Sequence, residues 1–150
     1  MRYLQDFDTG QIISLLPYTV REVDIIDFAH KFDPQPFHLD AADEKTKALG
    51  GLMASGWHTA AIVMRMKVDA YLLDTATLTS PGIDNLRWLA PVRAGDVLSG
   101  YDEVTAVRRL KSQPDRGVLS TKVSIKNQTE TLVMTLEAAA LVEVEVTAIA

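Results

Sequence analysis

Two hydrophobic periods divide the chain. As far as about residue 73 apolar residues recur at three- and four-residue spacings, and from Leu78 onward they alternate with polar ones. This predicts helices first and strands afterwards. Thr19 and Glu22 have the spacing of a capping box, and Ile25, Phe28, Ala29 and Phe32 then share one helical face, so a helix is expected to end before Pro34. A second, short helix is expected with Asp40 as its N-cap, running through Ala41, Ala42, Asp43, Glu44, Lys45 and Lys47 until Gly50-Gly51 stops it. The third is expected from about Gly56 to Leu73. In its first half Trp57, Ala60, Ala61, Ile62, Val63 and Met64 leave no polar stripe, which predicts a helix buried on all sides. Trp57, Met53, Met64 and Met66 are accordingly expected in the core.

Between Leu119 and Lys126, apolar Leu119, Val123 and Ile125 share a face with Thr121 and alternate with Ser120, Lys122, Ser124 and Lys126. The last strand is expected to place Leu132, Met134, Leu136, Ala138, Ala140, Val142, Val144 and Val146 on one face, with Thr135, Glu137, Glu143 and Glu145 on the other. Gln113-Pro114-Asp115-Arg116-Gly117 and Asn127-Gln128-Thr129-Glu130 supply turns, which predicts antiparallel hairpins. An early strand is expected around Ile12 to Leu16. One buried helix and a run of long strands describe an α+β layout, an antiparallel sheet wrapped around a helix, in one domain spanning 1–150.

Composition narrows the chemistry. The formal net charge of −5 argues against a general nucleic-acid binder, which needs a basic surface. With no cysteine, disulfide frameworks, thiolate zinc sites and cysteine nucleophiles are excluded together. Met1 leads into Arg2-Tyr3-Leu4-Gln5-Asp6 with no basic or apolar leader region, which predicts a cytoplasmic protein. The most apolar segment, Leu52 to Met64, is too short and too interrupted to span a bilayer.

The candidate chemistry lies in Phe28-Ala29-His30-Lys31-Phe32-Asp33-Pro34-Gln35-Pro36-Phe37-His38 and the Ser55-Gly56-Trp57-His58 turn. The prolines stiffen a loop that carries an acid, Asp33, and an imidazole, His38, five residues apart. A general acid or base must be held within hydrogen-bond reach of the reacting atom, and a stiff loop does this. Each residue also has a structural reading. Asp33 caps or turns the chain, His38 is a half-buried structural histidine, and Gly56 is a close-packing glycine at a helix start. His30 and His58 are assigned to the structural class, and no pair among the histidines has the spacing of a helical zinc motif.

Asp33-Pro34-Gln35-Pro36-Phe37-His38 resembles the D-x-N-P-x-H signature of the MaoC-like dehydratases and (R)-specific enoyl-CoA hydratases, which have the hotdog fold. The resemblance extends over most of the chain. Gly50-Gly51-Leu52-Met53-Ala54-Ser55-Gly56 leads into the central helix, and Leu89-Ala90-Pro91-Val92-Arg93-Ala94-Gly95-Asp96 is similar to that family's strand-turn segment. Gln35 departs from the signature's Asn; its longer amide is expected to bond the loop backbone. The resemblance implies a hydratase or dehydratase acting on an acyl thioester of coenzyme A or acyl carrier protein, with no cofactor and no metal. It implies that Asp33 and His38 hold and deprotonate the water and return a proton to carbon. It gives oxyanion and substrate binding to Gly56, Ser55 and Gln35, the Gly56 N–H at a helix N-terminus receiving the developing charge.

A phosphate-bearing substrate calls for basic residues, for which Arg87, Arg93, Arg108, Arg109, Lys111 and Arg116 are candidates beside ordinary solvated surface. The rival readings are a thioesterase of the same fold and a non-catalytic acyl-binding module. The absence of an acid between Gly56 and Asp69 counts against the first. A homodimer with the site at the subunit boundary is expected, because one sheet around one helix leaves strands unpaired at an edge.

Overall fold

The computed structural model describes residues 1–145. A short edge strand β1 (Ile12–Thr19) leads into helix α1 (Glu22–Phe32), a single-turn helix α2 (Pro36–Leu39), a short α3 (Glu44–Ala48) and the central helix α4 (Gly56–Ala70). Four long strands follow, β2 (Thr77–Trp88), β3 (Val97–Arg109), β4 (Arg116–Lys126) and β5 (Leu132–Glu143). They form one antiparallel sheet in the order β1-β3-β4-β5-β2, with β3, β4 and β5 joined as the expected hairpins. The sheet and central helix give the α+β hotdog architecture.

The core explains why α4 lies where it does. Ile62, Val63 and Met66 are buried with Leu98, Val123, Ile125, Val133 and Met134 of the sheet. Each large apolar side chain so buried contributes about 1.5–3 kcal/mol. A second cluster around Leu4, Phe7, Tyr71, Val104, Leu119 and Val142 closes the far end. Of the expected inward face of β5, Met134, Leu136 and Val142 are buried, and Val144 is buried just beyond its end. Leu132 is exposed, Val133 points in, and Val146 lies outside the described residues.

Several expected details differ. Thr19 ends β1, so the Thr19/Glu22 capping box does not form; Arg21 is the N-cap of α1 and makes no side-chain cap bond. Its guanidinium instead holds Asp24 at 2.7 Å. Asp43, not Asp40, caps α3 by accepting from the N–H groups of Lys45 and Thr46, while Asp40 accepts from Ala42 N in a local turn. Pro36 opens α2, a position where its missing N–H costs nothing. Pro17 is tolerated in β1 because this is an edge strand with a register shift between Leu15 and Tyr18.

The central helix is not buried on all sides. Trp57 is 62% exposed and Met64 50%, with Ala61 exposed between them, whereas Met66 is fully enclosed and Met53 half-buried. Position in the turn, not hydrophobicity, decides this: residues 57, 61 and 64 face away from the sheet. No helix among the described residues is long and apolar enough to cross a membrane.

At the C-terminal end of α4, Lys67 Nζ lies 2.8 Å from Asp102 Oδ2, and the Tyr71 hydroxyl donates to the same oxygen at 2.7 Å. Burial, together with this carboxylate, pushes the Tyr71 hydroxyl far above its ordinary pKa. Removing one member leaves the other as an uncompensated buried charge. Lys67→Met is therefore expected to cost about 3–5 kcal/mol in urea unfolding, and Lys67→Met/Asp102→Asn distinctly less.

Candidate active site

Four local devices bring the predicted residues together. Asp33 is the C-cap of α1, where its N–H still bonds Ala29 O, so the helix end fixes its backbone. The Gln35 amide donates to Asp33 Oδ1 at 2.6 Å, and the Ser55 hydroxyl donates to Asp33 Oδ2 at 2.7 Å. Gln35 thus serves the carboxylate directly and not, as expected, the loop backbone. Ser55, almost wholly buried, is the N-cap of α4. It uses its hydroxyl on Asp33, not on the helix, which joins the end of α1 to the start of α4.

His38 is buried in α2, with its Nδ1 2.7 Å from the Met53 carbonyl. A carbonyl only accepts, so Nδ1 carries hydrogen and Nε2 of the neutral ring is left with its lone pair. Nε2 lies 3.3 Å from Asp33 Oδ2. Two acceptors facing each other at this distance require a hydrogen on one of them or a donor that bonds both from one side. The pair is arranged to accept hydrogen from one small O–H donor such as water. The Ser55 and Gln35 hydrogen bonds, with His38 nearby, hold the Asp33 carboxyl below its usual range despite partial burial.

Gly56 opens α4, and as first helical residue its N–H has no partner within the helix. A cavity of about 440 Å³ is lined by His38, Gly56, Thr59, Met53 and the Trp88–Val92 segment among others. The Trp88 indole covers Gly56 closely, since a Cβ built there lies 2.6 Å from Trp88 Cε2. Trp88 also meets Trp57 edge to face, with centroids 5.2 Å apart. The packing reading of Gly56 is therefore real, and it coexists with an N–H beside the cavity that has no partner among the described residues. Gly56→Val would strike the indole whatever the N–H does.

Sequence reasoning missed three contributors. The Met53 carbonyl orients His38, and Trp88 walls the cavity. Arg93 clasps the approach to α4: its guanidinium donates to the carbonyls of Leu49, Gly51 and Leu52, at 2.7 Å for Leu49 and Gly51. Gly50 and Gly51 adopt φ of +85° and +112°, which favours glycine, and a Cβ on Gly50 would lie 3.1 Å from Arg93 Nη2. Arg93 is thus committed to backbone and corrects the expectation of a phosphate ligand there. Arg116 pairs with its neighbour Asp115, and Arg87, Arg108, Arg109 and Lys111 do not line the cavity. His30 is exposed on α1. His58 is buried, stacks on Phe28 with centroids 4.9 Å apart, and is held below its ordinary pKa by burial. Neither joins the site, and no group of three metal-ligating side chains occurs among the described residues.

The MaoC like domain family matches residues 7–127, which spans the signature, the central helix and the first four strands. The chain belongs to the MaoC-like family. The MaoC-like dehydratase from Rhodospirillum rubrum is 36% identical and superposes with a TM-score of 0.87, covering 98% of this chain and 100% of that one. The (R)-hydratase PhaJ1 from Pseudomonas aeruginosa, in its unliganded form, is 25% identical with a TM-score of 0.73, covering 99% and 93%. YdeM of Bacillus subtilis, whose function is uncharacterised, is 29% identical over 143 residues, 93% of this chain and 98% of that protein.

In this MaoC-like chain the Ser55 hydroxyl, with the Gln35 amide beside it, lowers the Asp33 pKa. A carboxylate with a depressed folded-state pKa adds stability above its unfolded pKa, and loses it as pH falls through the folded value. Ser55→Ala is expected to raise the Asp33 midpoint, read by carbon NMR of the side-chain carboxyl, and to move the associated loss of stability to higher pH. An unmoved midpoint would contradict the assigned hydrogen bond.

Proposed function

We propose that the chain is a hydro-lyase that adds water to a 2-enoyl thioester, or removes it from the 3-hydroxyacyl thioester, carried on coenzyme A or acyl carrier protein. The observation that carries this reading is the 3.3 Å pair of facing acceptors, Asp33 Oδ2 and His38 Nε2, with every other polar atom of the two side chains already engaged. A water seated to one side of the pair donates to both. Its oxygen adds to the β-carbon while one of the pair takes its proton, and negative charge moves to the thioester oxygen. The Gly56 N–H at the positive end of α4 favours that charge. A proton then passes to the α-carbon. Membership of the MaoC-like family and likeness to the Pseudomonas (R)-hydratase support this chemistry.

The thioesterase alternative lacks a carboxylate on the first turns of α4 itself; the helix's acid, Asp69, lies near its far end and pairs with Arg65 at 2.8 Å. Incubation with crotonyl-CoA separates the readings: loss of the enoyl absorbance without free thiol is expected, thiol release would mean hydrolysis, and neither would mean binding alone. Asp33→Asn and His38→Ala should each lower hydration by about 10²- to 10⁴-fold. The double variant should be little worse than the poorer single one, because both act on one water. Near-parental turnover in either single variant would return that residue to a structural role.

The same reading includes a homodimer built on the β2 edge. All of β2 is solvent-facing apart from a half-buried Leu86, with Leu78, Ile83 and Trp88 exposed, and beside it runs the exposed α4 stripe of Trp57, Ala61 and Met64. A twelve-residue strand paired with β5 on one side and open on the other, flanked by apolar surface, favours pairing with a twofold copy. Light scattering on a sizing column is expected to give twice the 16.5 kDa chain mass; a monomer at micromolar concentration would overturn the assignment.

A further inference from the structure

The proposed hydration needs the hydrogen of the neutral His38 ring on Nδ1, and a competing arrangement lies close by. Moved to Nε2, that hydrogen would point at Asp33 Oδ2, 3.3 Å away, and the acid and the imidazole would satisfy each other. The lone pair that accepts from water would then be gone. The partner of the other ring nitrogen decides between the two tautomers. Here that partner is a backbone carbonyl, Met53 O, 2.7 Å from Nδ1. With hydrogen on Nε2, the bare Nδ1 would meet this oxygen acceptor against acceptor. The tautomer is therefore only as secure as the position of Met53 O.

Met53 lies between α3 and α4, in a stretch that belongs to no helix or strand. Its N–H donates to Phe37 O at 3.0 Å, beside the histidine that its carbonyl orients. The residues on either side of it are held by the Leu89–Asp96 segment. Ala54 N–H donates to Val92 O at 2.8 Å. The next residue of that segment, Arg93, spreads its guanidinium over the carbonyls of Leu49, Gly51 and Leu52, the last at 3.3 Å. Residues 92 and 93 thus grip Met53 from both sides.

Arg93 is itself anchored. Its N–H donates to Asp96 Oδ2 at 2.8 Å, and Asp96 Oδ1 accepts from the Gln128 amide at 2.9 Å. The Gly95 N–H reaches Val20 O at 2.8 Å. These bonds tie the base of the arginine to the β4–β5 turn and to the residue that follows β1. A planar fork of donors spans several acceptors in fixed directions, whereas an ammonium on a flexible stem offers a point charge.

We infer that Arg93 is a positioning residue for proton transfer: by fixing the stretch that carries the Met53 carbonyl, it holds the His38 hydrogen on Nδ1 and keeps Nε2 open to water. It acts through Met53 and lines no part of the cavity. Its effect on rate rests on the hydratase reading above, but the tautomer is a property of the free protein.

Nitrogen NMR of the His38 ring at about pH 8, where an ordinary imidazole is neutral, reads the tautomer without substrate. The parent is expected to carry hydrogen on Nδ1. Arg93→Gln is too short to span the carbonyls, and Arg93→Lys keeps the charge without the fork. In both, hydrogen is expected to shift toward Nε2, and kcat for crotonyl-CoA hydration to fall by up to about 10²-fold, the cost of a small misplacement made far from the chemistry. KM is expected to change little. A merely structural role would lower the melting temperature and leave the tautomer where it was. A folded variant that keeps hydrogen on Nδ1 therefore overturns the inference, whatever its rate, and so does a parent with hydrogen on Nε2. Should Arg93→Gln fail to fold, Arg93→Lys alone decides. A parent with the Nδ1 tautomer that hydrates no enoyl thioester overturns the hydratase reading instead, and the tautomers of the variants still decide the role of Arg93.

Discussion

Burial of one face of α4 against the sheet is the constraint from which the rest follows. Ile62, Val63 and Met66 settle among Val123, Ile125, Val133 and Met134, and this orientation points the helix N-terminus at the end of α1. Ser55 and Gly56 then reach Asp33 and the main cavity because the helix has nowhere else to start. The clasp of Arg93 on the carbonyls of residues 49, 51 and 52 fixes the approach. Leu89–Asp96 is therefore part of the site's scaffold, although it contributes no proton-transfer group.

The candidate site works by arranging acceptors. Hydrogen bonds from Ser55 and Gln35 stabilise the charged form of Asp33 and lower its basicity, but they also fix its geometry. The Met53 carbonyl settles the His38 tautomer and leaves Nε2 open. With these bonds in place, a single small donor relieves the repulsion between the two facing atoms. The polar groups are thus held in place by the protein itself, the preorganisation that the proposed hydration calls for.

The surface carries a complementary mismatch. A helix apolar through its first half shows Trp57, Ala61 and Met64 to solvent, next to a long edge strand with open backbone groups. Apolar exposure and an open strand edge on one side of the molecule are the surface that the proposed homodimer would cover.

The sequence by itself determined the elements and the chemistry-bearing loop. Period-two alternation located β4, β5 and their turns, and Pro34 and Pro36 confined Asp33 and His38 to a stiff connection, because these signals are local properties of backbone and side chain. Only the tertiary structure decided what depends on residues distant in the chain. It joined Ser55 to Asp33 and Met53 to His38, laid Trp88 over Gly56, committed Arg93 to backbone carbonyls, and paired Lys67 with Asp102. It also absorbed Thr19 into β1, which removed the expected helix cap, and turned Trp57 and Met64 outward. Hydrophobicity states that a side chain favours burial, but it does not state which partner covers it; that depends on how the helix rotates against the sheet.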